Sequence, residues 1–163
     1  MTVSDPFTRA SQAIASALLA WPGFASLVRG NLVDMTSGRF ERFKAEVQSG
    51  DLPEVAIVQG DFVMHPFGGD SRSVELAQSY RLMMTFESLN VVAVNALKYQ
   101  TCIALLKAGP ALGLDGLVRR WQVTSGQDNP SGPSAWTRGT ERWFSALTIE
   151  VEMYLDRAST AVL

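Results

Sequence analysis

The clearest pattern in this chain is a strict alternation of apolar and polar residues close to its C-terminus. From Leu147 to Leu155 every second residue is apolar, and the residues between them are Thr148, Glu150, Glu152 and Tyr154. Successive side chains of a strand point to opposite faces of a sheet, so a period of two indicates one buried face and one wet face. We therefore predict a half-buried strand within residues 142–157.

Other segments predict further strands. Ser79–Leu89 alternates in the same way, and Glu54–Val58 is short and rich in β-branched residues after a proline. Asp61–Pro66 could pair with a neighbouring strand. Gly116–Thr124 predicts a strand that carries these side chains on one face: Leu117, Arg119, Trp121 and Val123.

The N-terminal part of the chain predicts a helix that starts at Pro6 and breaks at Pro22. Asp5 or the serine before it can accept hydrogen bonds from the first free amides, and proline is tolerated in the first turn. One face of this helix is apolar, with Ala10, Ile14, Ala17, Leu18 and Trp21. Phe24–Asp34 then fits either a second helical turn or a short strand, and Thr36–Gly50 has the periodicity of an amphipathic helix.

Val91–Ala108 predicts another helix, with Asn90 as its N-terminal cap and Gly109 at its end. Apolar residues cover most of its circumference, and Lys98 and Lys107 are its few charges. A helix of this kind has to be covered on more than one side. We expect its own sheet and a neighbouring subunit to cover it.

The order of these elements predicts the fold class. Consecutive strands that can be joined locally favour antiparallel pairing, and the helices then cover one face of the sheet. We expect an α+β protein with a mostly antiparallel sheet of about four strands and helices packed on one face. A chain of 163 residues without a convincing linker is most simply one domain, residues 1–163.

The composition argues against several classes of protein. Fourteen basic residues against sixteen acidic residues leave no overall field to attract nucleic acid or an anionic membrane. A single cysteine excludes an internal disulfide and a cysteine-based zinc site, and a single histidine, His65, leaves no histidine cluster for a metal. We expect no metal, no cofactor and no sequence-specific recognition of nucleic acid.

The N-terminus and the apolar runs argue against export and membrane insertion. The first residues are polar rather than a charged segment followed by an apolar core, so no signal peptide is expected. No apolar run approaches the roughly 18 residues that span a bilayer. We therefore expect a soluble protein, made in a cytoplasm, that has no contact with a membrane.

No residue pattern predicts catalysis strongly. Glu150 and Glu152 project from one face of the last strand and could form an acid/base pair or bind a hard cation, but a solvated or intersubunit sheet face explains them better. Arg119 and the arginine after it lie next to Trp121 and could contact a nucleic-acid strand, yet pairing with those glutamates explains them equally well. Cys102 is expected in the core as a small apolar residue of its helix.

Residues 125–139 predict a long loop before the last strand. The segment holds three glycines and two prolines, and Trp136 is its one large apolar residue. Ordered loops of this length are usually functional, and tryptophan and arginine are enriched in binding hot spots. Unless Trp136 folds back onto its own sheet, we expect the loop to contact a partner through Gln127, Asp128, Trp136 and Arg138.

The order of elements resembles that of the tail terminator, or tail completion, proteins of long-tailed bacteriophages and related prophage particles. The resemblance runs from the N-terminal helix through the proline-led strand at Leu52–Val55 and the alternating strand Ser79–Leu89 to the apolar helix. It continues with the strand that carries Trp121, the long loop and the final strand Ile149–Arg157. It spans nearly the whole chain and rests on element order and length, not on a signature motif.

The resemblance implies a structural, non-enzymatic virion protein of the tail or neck, assembled in the bacterial host cytoplasm. Such proteins form a hexameric ring on the head-proximal end of the tail tube, which stops tube polymerisation and offers a surface to the head connector. The partners would be further copies of the chain, the tube protein and the connector or adaptor. We expect the subunit interface at Arg119, Trp121, Glu150 and Glu152.

Other functions fit the same sequence less well. The chain could be another neck or tail component, such as a head-tail adaptor or a tube subunit. It could also be a small α+β enzyme that uses Glu150 and Glu152, or a ligand-binding domain whose apolar helix lines a pocket.

Overall fold

The structure, a computed structural model, describes residues 5–29, 31–34, 53–64, 73–86, 90–116, 118–128 and 143–156. Its helices and strands follow in this order: α1 (Pro6–Ala20), α2 (Pro22–Val28), β1 (Leu32–Asp34), β2 (Glu54–Met64), β3 (Ser73–Phe86), α3 (Val91–Ala108), a 3-10 helix (Gly109–Gly116), β4 (Val118–Asp128) and β5 (Trp143–Asp156).

The described strands form one sheet of five strands in the order β1-β2-β3-β5-β4. Strands β2, β3, β5 and β4 pair antiparallel, and the short β1 pairs parallel with β2. The prediction of an α+β fold with a mostly antiparallel sheet of about four strands is confirmed. The short parallel strand comes from the segment whose periodicity left helix and strand both open.

Strand β5 lies between β3 and β4, and its apolar and polar side chains lie on opposite faces of the sheet, as the alternation predicts. Its apolar residues are buried, whereas the polar residues between them are half-buried. The buried set is Leu147, Ile149, Val151 and Met153. The core therefore lies on one side of the sheet, where the helices pack.

Helix α1 is joined to this core by its apolar face and by one buried hydrogen bond. Ile14 and Leu18 belong to the same buried cluster as Ile149. The Tyr80 hydroxyl of β3 donates a hydrogen bond of 2.6 Å to the backbone oxygen of Phe7. Because a buried hydroxyl needs a partner, this bond sets the position of the first turn of α1 over the sheet.

The segment after α1 contains both structures that its sequence left open. A short helix, α2, ends at Arg29, whose positive φ of 51° turns the chain, and β1 follows at Leu32. The helix predicted over Thr36–Gly50 lies outside the described residues.

Three strands differ from their predicted bounds. Strand β2 runs unbroken from Glu54 to Met64 because an irregularity between Gln59 and Phe62 lets the pairing with β3 continue. The buried Gln78 amide donates a hydrogen bond of 2.9 Å to the carbonyl of Gly60 within that irregularity. Strands β3 and β4 also begin or end beyond their predicted limits, at Ser73 and Asp128.

Helix α3 is capped as predicted, since the Asn90 side chain accepts a hydrogen bond of 3.2 Å from the amide of Ala93. The prediction that Cys102 is a core residue is wrong, because that side chain is exposed. A helix turns by about 100° per residue, and Thr101 takes the buried position instead. Its hydroxyl donates to the backbone oxygen of Leu97 at 2.7 Å.

Helices α2 and α3 approach each other closely at Gly23. The indole nitrogen of Trp21 donates a hydrogen bond of 2.7 Å to the side-chain oxygen of Gln100. A Cβ atom at Gly23 would lie 2.2 Å from that oxygen. The absence of a side chain at Gly23 therefore leaves room for this bond.

Replacing Gly23 with alanine should lower the free energy of unfolding by about 0.5–1.5 kcal/mol, because the Gln100 amide would have to move away and its hydrogen bond with Trp21 would be lost. Urea denaturation measures the change. Gly113→Ala is the matched control, since a Cβ atom there meets nothing within 4 Å. Equal losses of stability in the two variants would contradict the close approach.

The N-terminal cap of α1 should make stability depend on pH. Asp5 accepts hydrogen bonds from the Thr8 amide at 2.9 Å and from the Thr8 hydroxyl at 2.8 Å. The amide bond is the main reason that the pKa of Asp5 lies below its ordinary value, against a smaller opposing effect of burial. A lowered folded-state pKa gives stability that is present above the ordinary pKa and is lost as pH falls through the lowered value.

Asp5→Ala should therefore lower the free energy of unfolding by about 0.5–2 kcal/mol at neutral pH. The difference in this free energy between the variant and the unmodified chain should shrink below about pH 4. Thermal or urea denaturation across this range measures it. Asp5→Asn is the control, because it keeps an acceptor oxygen without the titrating group. A loss in Asp5→Ala that stays constant down to pH 2 would show that the carboxylate does not act as the cap.

Candidate assembly surface

The face of the sheet away from the helices carries a polar surface on β3, β5 and β4. Glu150 lies between Ser79 of β3 and Gln122 of β4, and Glu152 lies between Ala77 and Arg120. We name this surface the polar sheet face and define it by Glu75, Arg81, Arg119, Arg120, Gln122, Glu150 and Glu152.

The polar sheet face occupies one end of the sheet only. At the other end, residues on the same face are buried: Ala56, Thr85 and Ala146. Toward the polar end, Thr148, Glu150 and Glu152 are half-buried and Arg81 is exposed. The residues that the alternation assigned to a wet or intersubunit face therefore lie together at one end of the sheet.

The two arginines of β4 contact different partners on this face. A register shift between Val118 and Arg120 interrupts the alternation of β4, and Arg119 forms an ion pair with the Glu75 carboxylate of β3. The Arg120 guanidinium donates a hydrogen bond of 2.8 Å to the Gln122 side chain. The predicted placement of Arg119 on one face with Trp121 is wrong, because the irregular register separates them.

The ion pair between Arg119 and Glu75 is open to water, with side-chain exposures of 64% and 51%. Exposed pairs of this kind contribute roughly 0–1 kcal/mol to stability. The pair therefore stabilises the fold little, and its side chains remain accessible to a partner.

Charge on the polar sheet face is balanced. Three carboxylates (Glu75, Glu150, Glu152) stand against three guanidinium groups (Arg81, Arg119, Arg120). A surface that carries both positive and negative charge favours a protein partner with a complementary charge pattern, which fixes how the two surfaces align. Binding to the phosphate backbone of a nucleic acid requires mainly positive charge. Within the described ranges, no cluster of three or more histidine, cysteine, aspartate or glutamate side chains could hold a metal ion.

A groove lies on the helix side of the sheet, away from the glutamates. Its volume is about 380 Å³, and α1 and α3 line it mainly with alanines, together with Trp21 and Lys107. Neither Glu150 nor Glu152 borders it. These glutamates lie on the other face of the sheet from this groove.

Trp121, which the sequence analysis assigns to a subunit interface, lies on the helix side of the sheet. Its register partner is Val151, a core residue, and it packs partly buried against the core. With Ile14 and Leu112 it surrounds a small gap between the sheet, α1 and the 3-10 helix. Trp121 therefore contributes to the core of its own chain.

Gln127 and Asp128 were expected in the long loop, and the structure places both in β4. They pair with Ala146 and Ser145 of β5, so the first residues of the predicted loop 125–139 continue the strand. The backbone hydrogen bonds with β5 explain this extension despite the glycine at Gly126. Trp136 and Arg138 lie outside the described residues, as does His65.

The sequence predicts that α3 has to be covered on more than one side, and the structure shows which of its apolar side chains the described residues leave exposed. The exposed residues Val92, Tyr99 and Leu106 repeat at intervals of seven along the helix. The signal was present in the sequence, because a helix with almost no charge has to present apolar residues to something besides its own core. A second exposed apolar group lies at the end of β2, with Phe62, Val63 and Met64.

Within the part of the chain that the structure describes, no single helix is long and apolar enough to cross a membrane. Helices α1 and α2 reach that length and apolarity only as a pair that is bent by 91°.

Comparison with known proteins identifies a similar fold but no family. No protein-family model matches the chain, and no curated protein matches it in sequence. Among solved structures, the fold is similar to that of a chain in a structure described as the virion of a native gene transfer agent (GTA) particle, with a TM-score of 0.54. Sequence identity is 10%, and the match covers 89% of this chain and 94% of that chain.

The exposure of the Arg119–Glu75 pair predicts a small coupling energy. A double-mutant cycle with Arg119→Gln and Glu75→Gln, measured by urea denaturation, should give a coupling energy of less than about 1 kcal/mol. Added salt should reduce this coupling energy. The control is the cycle of Glu75 with Arg81, which lies farther along β3. A coupling of several kcal/mol would mean that the pair is desolvated and that this face is not open.

Proposed function

We propose that this chain is a structural subunit of a phage-like particle and that it closes the tail tube as an oligomeric ring. The observation that carries the proposal is the fold likeness to a chain of the GTA virion, which extends over nearly the full length of both chains. The likeness agrees with the order of elements that resembles tail terminator proteins. Both comparisons favour an assembly protein of the virion over an enzyme.

The surfaces of the chain suit this role. A closed ring needs two different surfaces on each subunit, because a rotation has to bring one surface of each copy onto another surface of the next. The polar sheet face and the exposed side of α3 are two such surfaces on opposite sides of the sheet. The sheet and its helices, joined by one buried core, form a rigid body between them.

In this proposal the ring is hexameric and lies in the tail or neck of the virion. One side of the ring binds the tail tube protein and the other binds the head connector or adaptor. The segment around Trp136 and Arg138 contacts the tube, and Gln127 and Asp128 at the end of β4 support it. The chain acts as one domain, residues 1–163, without a cofactor, after assembly in the host cytoplasm.

Another neck or tail component, a head-tail adaptor or a tube subunit, fits the same fold likeness. Behaviour during assembly separates these roles. A tube subunit polymerises without limit, an adaptor binds the connector before any tube is present, and a terminator closes on itself and stops growth of the tube.

The proposal predicts that the purified chain limits the growth of tail tubes. When it is added to polymerising tube subunits of the same particle, electron microscopy should show shorter tubes that carry a cap at one end. The variant Trp136→Ala/Arg138→Ala should form the same oligomer but leave tube length nearly unchanged, because it lacks the proposed contact.

Two results would contradict the terminator role. Tubes of unchanged length with the unmodified chain would exclude capping. Incorporation of the chain along the whole tube would instead make it a tube subunit.

A further inference from the structure

The sheet has two stretches of strand edge that no described strand covers. Strand β4 is the last strand in the order β1-β2-β3-β5-β4, so one side of Val118–Asp128 has no partner among the described strands. At the other end of this order, β1 pairs only with residues 55–57 of β2, which leaves the same side of residues 58–64 uncovered by any described strand. We name these two stretches the β4 edge and the β2 edge. Such an edge presents backbone N–H and C=O groups to which another strand can add.

Both edges carry exposed apolar side chains on the helix side of the sheet. Phe62 and Met64 of the β2 edge pair with buried residues of β3 on that side, yet they are 47% and 51% exposed. Val123 of the β4 edge pairs with the core residue Ile149 and is 40% exposed. Apolar side chains that lie in line with the core but remain exposed at an edge indicate a surface that a further strand covers.

The two edges match each other in strand direction. Strands β2, β3, β5 and β4 alternate in direction, so β4 runs antiparallel to β2. If a rotation places copies side by side in one continuous sheet, β4 of one copy lies antiparallel to β2 of the next. Facing residues of paired strands share a face of the sheet, so Phe62, Met64 and Val123 would then lie on the same side.

Strand β1 decides how far the two edges have to be displaced along each other. Through the pairing of the intervening strands, Asp34 of β1 lies level with Gly126, and Leu32 lies level with Asp128. A neighbouring β4 at the same height would therefore run into β1 and has to move along β2 past Asp34. An odd displacement would turn Val123 to the other face. The smallest even displacement that clears β1 is four residues, because two would leave Asp128 level with Asp34.

This displacement predicts which residues meet between copies. Val123 lies four positions of β3 away from Met64, and Gly126 lies four positions away from Phe62. After the displacement, Val123 stands opposite Met64 of the next copy and Gly126 stands opposite its Phe62. An aromatic side chain across from an edge glycine covers the space that the glycine leaves. The contact therefore covers the exposed apolar side chains of both edges.

A displacement of four residues also fits a sheet that closes on itself. It amounts to about 13 Å along the strands, and each copy adds β2, β3, β5 and β4, or about 19 Å, to the width of the shared sheet. These two lengths incline the strands by about 35° to the ring axis, which agrees with the tilt of roughly 35–45° in closed β-barrels. The displacement that β1 imposes is thus one with which a ring can close.

We propose that the β4 edge of one copy adds to the β2 edge of the next copy, displaced by four residues, and that this repeated contact closes the ring. The occupant of each edge is a second copy of this chain. Register shifts within β2 and β4 keep the paired stretch short. The inference rests on the proposed function only in assuming that the assembly is a ring. It leaves the polar sheet face and the exposed side of α3 open on the two sides of the ring wall.

A pair of cysteines tests the predicted register directly. The exposed Cys102 is first replaced by serine, which removes the native thiol. In that chain, Met64→Cys/Val123→Cys places one thiol on each edge, at positions that face each other across the proposed contact. Oxidation should join the copies in series and give a ladder of species up to the full ring on a denaturing gel.

Matched pairs in the same chain separate this contact from its alternatives. Val63→Cys/Val123→Cys should give no ladder, because Val63 pairs with Ala77 on the face away from the helices. A ladder from Gln59→Cys/Val123→Cys instead would overturn the displacement, since Gln59 and Val123 lie level. A dimer from Val123→Cys alone would overturn the proposal in favour of β4 pairing with β4. The absence of a ladder from the Met64 pair would also overturn it.

Substitutions on either edge give an independent readout. Met64→Asp should make the oligomer dissociate at least about tenfold more readily on dilution, with an unchanged circular dichroism spectrum, because a charge would be buried between copies. Val123→Asp should have the same effect from the other edge. Val92→Asp, exposed on α3, is the control and should leave the oligomer intact. An oligomer that survives both edge substitutions, or one that only Val92→Asp dissociates, would refute the contact.

Failure of this inference is distinguishable from failure of the proposed function. A closed oligomer without a cross-linked ladder would refute the contact and leave the ring role standing. A full ladder from a protein that does not cap tail tubes would support the contact and refute the terminator role. A chain that stays monomeric at high concentration would refute both.

Discussion

The structure depends on the packing of one face of β5 against the helices. This strand pairs with β3 on one side and β4 on the other, so its alternation decides which face of all three strands is dry. Ile149, Val151 and Met153 face the core, and Glu150 and Glu152 face away from it. A slip of one residue would reverse both sets, which would bury two carboxylates and expose the apolar residues. The buried alternation therefore fixes the register of the sheet and, with it, the polar sheet face.

Stability and assembly use different surfaces of this chain. The core and the hydrogen bond from the Tyr80 hydroxyl to Phe7 hold α1 on the sheet, and the Asp5 cap stabilises the first turn of α1. The exposed ion pair of the polar sheet face adds little to folding. The exposed apolar side chains of α3 are not buried by the described part of their own chain. Residues that contribute little to folding yet form ordered surfaces are available for contacts between subunits. The proposed ring follows from this division.

Much of the fold was predictable because it follows from periodicity. The alternation of β5, the two helix caps and the mostly antiparallel sheet could be read from local sequence. What could not be read was where the periodicity is interrupted. The register shift beside Arg119 separates it from Trp121, and the irregularity near Gly60 makes β2 continuous. Cys102 was predicted on the wrong side of α3 because apolar residues lie all around this helix, so the sequence does not show which face is buried. The packing of α1 and α2 against α3 determines that face.

The proposed role of this chain is to close a ring with copies of itself. Native mass spectrometry over a wide range of concentrations tests this most directly. The account predicts one dominant species, six times the 17.7 kDa chain, that does not grow further as concentration rises. A monomer at every concentration, or a series of ever larger species, would contradict it.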